Sequence, residues 1–426
     1  MLPALSEHKT LRYGAFLALY VAQGLPEGLL YVAVPAWLAQ QGVSAAAIGA
    51  YIGIILLPWS FKLINGPIMD RFSFLPMGRR RPWVIAAQSG LVLGLLGLTG
   101  ITDGATQIGA ITLIGFLVNF FGAFQDVAVD GMAIDIIPPD EQAVANGLMW
   151  GGKTLGIAAS TAVSGTIIAD QGLSAGAIAV AVAIAVIMVI PLTLRERPGE
   201  RIAPWSSGAP SETALDLQLH EWRSILTNLF NAVQTPSSLI FIAATFVALM
   251  GYGLYSAALP VMTVQELGWA DTDYTQASAS IGLIGAAIAM LAAGPFVSRF
   301  GLVRSLFVGL IFMAAVHFAM SSAPGLWDER SVVIGYMIAY KAAFVLLSVA
   351  IYATAMRLCE RKVAATQFAL YMAFINLGTS AGAALLGPIE MAFNYAGVIM
   401  AMGVIAALGA LVFMRVAVPM PESQRV

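Results

Sequence analysis

The chain has 426 residues, of which 59% are hydrophobic and only 10% are charged, and its formal net charge is −2. Soluble domains are about 25% charged, so this composition excludes an ordinary soluble domain, and the balanced charge gives no indication of nucleic-acid binding. A single cysteine, Cys359, excludes an internal disulfide framework and a multi-cysteine metal site, and three scattered histidines argue against a metal centre.

Apolar stretches recur along the whole chain. A helix needs about 20 mainly apolar residues, at 1.5 Å rise each, to cross hydrocarbon. Twelve stretches meet this requirement: 12–38, 45–69, 83–102, 107–136, 141–169, 174–194, 236–264, 273–298, 303–320, 331–357, 363–387 and 392–417. No small-residue cleavage site follows the first stretch, so we expect it to be retained as a span. The pattern predicts an all-α membrane protein with twelve transmembrane helices.

Basic residues indicate the orientation. With the N-terminus inside, most Lys and Arg residues lie in cytoplasmic segments, including Arg79, Arg80 and Arg81 after span 2 and Arg195, Arg197 and Arg201 after span 6. The outer loops carry acidic residues instead, among them Asp103, Asp170, Asp271, Asp273, Asp328 and Glu329. The positive-inside rule therefore predicts that the N and C termini are both cytoplasmic.

The segment 195–235 is the one long loop of this prediction. Residues 195–211 are rich in Pro, Ser, Gly and charge, as linkers are, whereas apolar residues recur at helical spacing over 215–233. We therefore expect a cytoplasmic linker with an amphipathic helix on the membrane face. It would connect an N-terminal six-helix bundle, 1–194, to a C-terminal six-helix bundle, 236–426.

The two halves resemble one another. The stretch Gly66 to Phe72 at the end of span 2 resembles Gly294 to Phe300 at the end of span 8. At nearly the same separation, Gly28 and Pro35 match Gly253 and Pro260, and Thr154-Leu155-Gly156 matches Asn376-Leu377-Gly378. Two pseudo-symmetric six-helix bundles in parallel arrangement predict an alternating-access transporter with its site between the halves, rather than a receptor or an intramembrane enzyme.

Several ionisable residues fall inside the predicted spans, where a charge is costly unless it faces a cavity or a partner, and six of them are candidate functional residues. They are Glu27 in span 1, Lys62 in span 2, Asp126 and Asp130 in span 4, Lys153 in span 5 and Lys341 in span 10. We assign all six to proton coupling or substrate binding.

Spacing and depth suggest how these groups meet. Asp126 and Asp130 lie on one helix face, and helix rise places Asp126 and Lys153 at one level, roughly 15–18 Å from the inner surface. Two acids facing Lys62 and Lys153 would form a proton relay. A static salt-bridge network that only stiffens the N-terminal half is the open alternative. Three amides, Gln23, Gln125 and Asn376, would contact a polar substrate or form interhelical hydrogen bonds.

Two motifs carry a family resemblance. Asp70-Arg71 followed by Gly78-Arg79-Arg80-Arg81 resembles the loop 2–3 signature of the major facilitator superfamily, although six residues rather than one separate Arg71 from Gly78. The longer loop, Phe61-Lys62-Leu63 and the stretch Gln125-Asp126 to Asp130-Gly131 are similar to the peptide/acetyl-CoA transporter branch, which includes AmpG-type muropeptide permeases.

The resemblance implies the major facilitator fold and proton-coupled import of a polar, often anionic solute. It also implies an inner-side gate formed by Asp70, Arg71, Arg79 and Arg80, with Arg299 at the repeated position, in which Asp70 faces a helix N-terminus of the other half. AmpG-type permeases often have fourteen spans and this chain is expected to have twelve, so a ferric-siderophore permease remains an alternative. An acyl-CoA or drug transporter of the same superfamily is another.

The expected function is that of a symporter and not of an enzyme. No nucleotide-binding P-loop or zinc-binding histidine pair occurs, so we expect no cofactor and a proton gradient as the energy source. The expected partners are a small-molecule solute, protons and the lipid bilayer, with no nucleic acid and the protein as a monomer. The expected location is the cell membrane, most simply a bacterial inner membrane. A non-transporting receptor on the same scaffold is the rival from another class.

Overall fold

A computed structural model of the chain describes residues 4–138, 141–216, 234–359 and 364–416. These residues are almost entirely helical, and the described part contains no β-sheet, only an isolated bridge between Ala4 and Arg195. The predicted all-α membrane fold is therefore confirmed.

The described residues of the N-terminal half form nine α-helices. They are α1 (Lys9–Gly28), α2 (Val34–Gln40), α3 (Ala45–Leu56), α4 (Lys62–Arg71), α5 (Arg81–Gly97), α6 (Ile108–Ile136), α7 (Gln142–Gln171), α8 (Leu173–Thr193) and the short α9 (Glu212–Asp216). A π-helical turn, Leu29–Ala33, joins α1 to α2, and a 3₁₀ turn, Leu57–Phe61, joins α3 to α4.

The C-terminal half contains seven described helices. They are α10 (Pro236–Val261), α11 (Asp271–Ile288), α12 (Gly294–Phe300), α13 (Leu302–Ser322), α14 (Arg330–Leu358), α15 (Ala364–Ala384) and α16 (Leu386–Phe413). A π-helical turn, Met262–Glu266, follows α10 as Leu29–Ala33 follows α1, but it lies after the repeated proline Pro260, whereas Leu29–Ala33 lies before Pro35. Both π turns therefore lie close to the repeated prolines, Pro35 and Pro260.

Ten helical stretches of the described chain are long and apolar enough to cross a membrane. They are Lys9–Gln40, Ala45–Met69, Arg81–Gly100, Ile108–Ile136, Leu173–Thr193, Pro236–Glu266, Asp271–Val297, Leu302–Ser322, Arg330–Leu358 and Leu386–Phe413. Helices α7 and α15 occupy the positions predicted for spans 5 and 11, with 30 and 21 residues, but are not among the ten. The count of twelve spans and the cytoplasmic termini stay predictions.

The chain divides into two compact units. The first comprises the described residues within Met1–Gln41, Phe61–His220 and Asp271–Ala279, and the second comprises those within Gly42–Ser60, Glu221–Ala270 and Ser280–Val426. Each unit thus includes a short stretch from the other half of the sequence. The predicted division into an N-terminal bundle, 1–194, and a C-terminal bundle, 236–426, stays a prediction.

In the first unit, α1 packs closely on α7. Gly24 lies against the backbone of Lys153 and Ile157, and Gly152 and Gly156 lie against the backbone of α1 at Leu17 and Val21. Glycines on both helices remove the side chains that would otherwise separate them, which is the packing that small residues allow inside membranes. The contact fixes the depth at which α7 presents Lys153.

In the second unit, α10 packs on α15 in the same way. Gly253 lies against the backbone of Thr379 and Ala383, while Gly378 and Gly382 lie against Phe246 and Met250. Because Gly28 and Gly156 of the first unit correspond to Gly253 and Gly378 in the repeat, the two units share one helix–helix contact. The internal repeat seen in the sequence is therefore a repeat of packing.

The second unit also contains α3. The Ser380 hydroxyl of α15 donates a hydrogen bond to the carbonyl of Gly53, and Gln265 Nε2 donates to the carbonyl of Val43 at 2.8 Å. The 3₁₀ turn at Leu57–Phe61, which contains Pro58, lies where the chain passes from the second unit back to the first.

The segment after α8 is packed rather than loose. The backbone of Leu5 donates to Arg195 O at 2.9 Å, and the backbone of Arg201 donates to Pro76 O at 2.7 Å. Residues 195–201 therefore belong to the first unit, with Glu196 and Glu200 buried. The amphipathic helix predicted over 215–233 lies mostly outside the described residues, which end at 216 before this gap.

Candidate functional site

The centre of the first unit holds an ion pair between Lys62 and Asp126. The 3₁₀ turn at Leu57–Phe61 ends immediately before Lys62, so this lysine begins α4 and its ammonium contacts Asp126 Oδ2 on α6. Gln23 Nε2 on α1 donates to the other oxygen, Asp126 Oδ1. Both oxygens of the carboxylate thus have donors, which offsets the cost of holding a charge in an apolar bundle.

Asp130 lies one turn further along α6 and has a different partner. Its carboxylate accepts a hydrogen bond from the Tyr20 hydroxyl on α1. The pairs Tyr20–Asp130 and Gln23–Asp126 run in opposite senses along the two helices, as side-chain pairs between antiparallel helices must. Within the described residues Asp130 forms no ion pair, so its charge state can change without breaking one.

Lys153 pairs with Glu27. Their Nζ and Oε1 atoms are 2.8 Å apart, and the ammonium also lies 5.7 Å from the ring centroid of Trp150. The glycine contact between α1 and α7 sets this arrangement, because it brings Lys153 level with Glu27. The sequence interpretation placed both Lys62 and Lys153 opposite the acids of α6; in the structure Lys62 contacts Asp126, whereas the ion-pair partner of Lys153 is Glu27.

These residues form one cluster. We call the set Glu27, Lys62, Asp126, Asp130 and Lys153 the first-unit charge cluster; it includes five of the six ionisable residues predicted from the sequence. Gln23 and Glu27 occupy successive turns of one face of α1 and so connect the two ion pairs.

The other predicted amides form interhelical hydrogen bonds. Gln125 is fully buried and its Nε2 donates to the carbonyl of Leu19 at 3.0 Å, so it joins α6 to α1. Asn376 lies in the second unit, where its Nδ2 donates to the carbonyl of Trp59 at 3.2 Å. Their proposed contacts with substrate stay predictions.

Three polar residues that take part in the hydrogen bonds between α6 and the first span were not selected from the sequence. They are Tyr20, Tyr31 and Asn119; Tyr31 donates to Asn119 Oδ1, between α6 and the π turn that follows α1. The spacing of Tyr20, Gln23, Glu27 and Tyr31 along one helix face was the available signal. It becomes informative only when the partner face of α6 is known.

Lys341 lies in the second unit. Its alkyl chain packs on Gly285 of α11, where a β-carbon would overlap its Cγ and Cε atoms. Within the described residues no carboxylate pairs with this lysine.

A second charged network lies at the predicted cytoplasmic end of the first unit. Arg79 Nη1 donates to both oxygens of Asp135 at 3.0 and 3.1 Å, and Arg80 Nε is 3.8 Å from Asp135 Oδ2. The buried Glu196 accepts from the backbone N–H groups of Arg79 and Arg80, which precede α5, and of Arg81, its first residue. A carboxylate at a helix N-terminus is favourable because it faces unpaired N–H groups and the positive end of the helix dipole.

Two acids of this network have shifted proton affinities. Burial raises the pKa of Glu196, although the N–H groups of α5 oppose this effect. Burial, and then the neighbouring Glu196 carboxylate, raise the pKa of Glu200 to about 7. Neither glutamate nor Asp135 was selected from the sequence; an acid between two arginines, Arg195-Glu196-Arg197, was the available signal.

The remaining predicted gate residues are Asp70, Arg71 and Arg299. Arg71 is exposed and lies 5.9 Å from the ring centroid of Phe72, and Arg299 is exposed at the end of α12. The side chain of Asp70 lies outside the described structure. The gating role of all five residues stays a prediction.

Comparisons with known proteins identify relatives of the whole chain. A family model described as Major Facilitator Superfamily matches residues 16–383, with a second match over 241–426. The structure of a D-xylose–proton symporter superposes with a TM-score of 0.72 over 97% of this chain and 98% of that one, at 13% identity. This similarity concerns the fold alone.

Two curated relatives are similar in sequence. An uncharacterized protein of Haemophilus influenzae is 34% identical over 146 residues, which are 32% of this chain and 34% of that protein. The match thus spans about a third of the Haemophilus protein. The anhydromuropeptide permease of Escherichia coli is 23% identical over 380 residues, which are 86% of this chain and 72% of the permease.

Proposed function

The chain belongs to the Major Facilitator Superfamily, and from this premise we propose that it imports a polar, anionic, muropeptide-like solute together with protons. As a member of this family it is a multi-pass membrane transporter for small-molecule solutes and not an enzyme. The proposal adds the proton coupling, the solute class, a monomeric state and a location in a bacterial inner membrane. No cofactor is required, because the proton gradient supplies the energy.

The observation that supports proton coupling is the unequal pairing of the two aspartates on α6. Asp126 has an ammonium and an amide as partners, whereas Asp130 accepts from a tyrosine hydroxyl and has no ion pair within the described residues. Protonation of Asp130 therefore removes a charge without stranding an ammonium. Asp126 would remain ionised and hold Lys62 in place.

The solute class is supported by similarity. The Escherichia coli relative is an anhydromuropeptide permease, and it aligns with 86% of this chain. Muropeptides carry carboxylates, and the cationic side chain of Lys341 in the second unit could bind such a group.

Uptake by proteoliposomes tests the proposal. We expect radiolabelled anhydromuropeptide to accumulate in vesicles whose interior is more alkaline than the medium, and to accumulate much less when the two pH values are equal. Asp130→Asn should lose the response to the pH gradient but keep solute exchange between labelled and unlabelled pools. Asp103→Asn, the same change in a loop, should behave as the wild type.

Uptake that is indifferent to the pH gradient would refute the proton coupling. Absence of anhydromuropeptide uptake under every gradient, with the protein correctly folded, would refute the solute class.

A further inference from the structure

Lys341 lies deep in an apolar helix of the second unit. It is eleven residues from the start of α14, Arg330–Leu358, which corresponds to about 17 Å along the helix axis. The described part of this helix contains no other charged residue between Arg330 and Arg357. A cation at this depth is costly unless it has a partner or faces a cavity.

Within the described residues, the second unit supplies no counter-charge at this level. The acids of the second unit within the described residues are Glu266, Asp328, Glu329 and Glu390. Asp328 and Glu329 precede α14, and Glu390 lies only about 6 Å along α16 from its start. Glu266 ends the π turn after α10. By the predicted topology all four lie towards the outer surface, away from the ammonium.

The residues around Lys341 nevertheless leave space for its side chain and fix the position of its helix. Gly285 on α11 provides the space occupied by the lysine chain, and an alanine there would overlap Cγ and Cε. Stacked rings fix α14 on α10: Tyr252 and Phe344 have centroids 4.2 Å apart, and Tyr255 and Tyr340 have centroids 3.6 Å apart. These rings contribute rigidity and apolar surface but no anion.

We propose that Lys341 binds an anionic group of the transported solute, a carboxylate or a phosphate, and that Gly285 positions its ammonium. The missing counter-charge is then supplied by the ligand. The proposal rests on the function proposed above only in taking this anion to be part of the transported solute. An ammonium presents three donors to such an oxygen-rich group.

Anion-dependent stability tests the site without a transport substrate. Purified wild-type protein would be heated in acetate, in inorganic phosphate, and in choline chloride of the same ionic strength. We expect acetate or phosphate to raise the melting temperature of the wild type and of Lys341→Arg, which retains the charge, but not of Lys341→Met. The anion with the larger shift identifies the group as a carboxylate or a phosphate. Equal shifts in the wild type and Lys341→Met, or no shift in either, would overturn the proposal.

A glycine pair on α11 provides a matched control. Gly285→Ala should displace the lysine chain and weaken the anion-dependent shift. Gly282→Ala, one turn earlier on the same helix, has nothing within 4 Å of the added carbon and should leave the shift unchanged. Equal effects of the two substitutions would show that Gly285 has no positioning role.

Transport separates this proposal from the function on which it rests. With anhydromuropeptide as the probe, Lys341→Met should raise the KM roughly tenfold or more, the value of a lost charge-assisted hydrogen bond. For an analogue with amidated carboxylates the substitution should change the KM little. If the wild type takes up anhydromuropeptide and Lys341→Met has the same KM for it, the anion site alone would be refuted. Absence of wild-type uptake would refute the solute class and leave the stability result to decide the site.

Discussion

Glu27 and Lys153 form an ion pair at 2.8 Å inside the first unit, with both side chains more than four-fifths buried. Such a pair contributes little net stability, because the attraction mainly offsets the loss of hydration. Removal of one partner is much more costly, since a charge is left without its counter-charge. This asymmetry distinguishes a structural pair from two independent functional groups.

A double-mutant cycle measures the pair. We expect Glu27→Gln and Lys153→Met each to lower the free energy of unfolding by up to about 3–5 kcal/mol. The double variant should recover most of that loss, because it leaves neither charge behind. Denaturation of the purified proteins would provide the four values. Losses that simply add in the double variant would show that the two residues do not interact.

Glu200 gives a pH-dependent prediction outside the membrane. Its pKa is raised from 4.5 to about 7 in the folded protein, mainly by burial. Between these values the folded state holds a proton that the unfolded chain has released, so the free energy of unfolding falls as the pH rises, and it falls no further above about pH 7. Glu200→Gln should therefore flatten the decline of the melting temperature across this window.

The control for this measurement is the exposed Glu212 on α9. Glu212→Gln should leave the pH profile of the melting temperature unchanged. A decline of the wild-type melting temperature between about pH 5 and about pH 7 that persists in full in Glu200→Gln would contradict the assignment.

The sequence identifies the charged residues well and their partners poorly. Charged residues inside apolar spans are conspicuous, so Glu27, Asp126 and Lys153 can be selected from the sequence alone. Their partners depend on helix rotation and relative depth, and the glycine contact of α1 with α7 shifts Lys153 to Glu27. Helix rise gives only an approximate depth and contains no information on helix rotation.

At the scale of helices, the close approach of α1 and α7 depends on glycine. A β-carbon at Gly156 would overlap the backbone carbonyl of Val21, whereas one at Gly151 on the same helix would meet nothing within 4 Å. The spacing of glycines in the sequence predicts a packing role for span 5. It does not identify which glycines face α1.

Alanine substitutions at these two glycines should have opposite effects. Gly156→Ala should destabilise the protein by about 1–3 kcal/mol, because the backbones must separate to accept the methyl group. Gly151→Ala should be neutral or stabilising by roughly 0.5–1 kcal/mol, since alanine favours the helix. Thermal unfolding in detergent would measure both. Equal destabilisation by the two changes would show that the close contact is not limiting.

At the scale of the whole molecule, the sequence repeat predicts a duplicated architecture, and both units contain the same glycine-dependent helix contact. Which residues belong to each unit is harder to predict from the sequence. Residues 42–60 belong to the second unit and 271–279 to the first, although the sequence halves would assign them the other way. That exchange depends on tertiary contacts such as Ser380 with Gly53, which no local pattern indicates.

The chemistry is distributed unequally between the units. The first unit contains the first-unit charge cluster, proposed to carry a proton, and the second contains Lys341, proposed to bind the solute anion. In the proposed mechanism, the first unit would bind the proton and the second unit would bind the anion of the solute. We propose that Asp130 gains and loses a proton in each transport cycle.

Acidification of the vesicle interior measures proton entry through the transporter. Proteoliposomes loaded with a pH-sensitive dye, and clamped electrically with valinomycin and potassium, would receive anhydromuropeptide outside with no imposed pH gradient. We predict that solute entry acidifies the interior of wild-type vesicles and that Asp130→Asn vesicles exchange solute without acidification. Solute entry without acidification in the wild type, or equal acidification in Asp130→Asn, would contradict the proposed proton binding by Asp130.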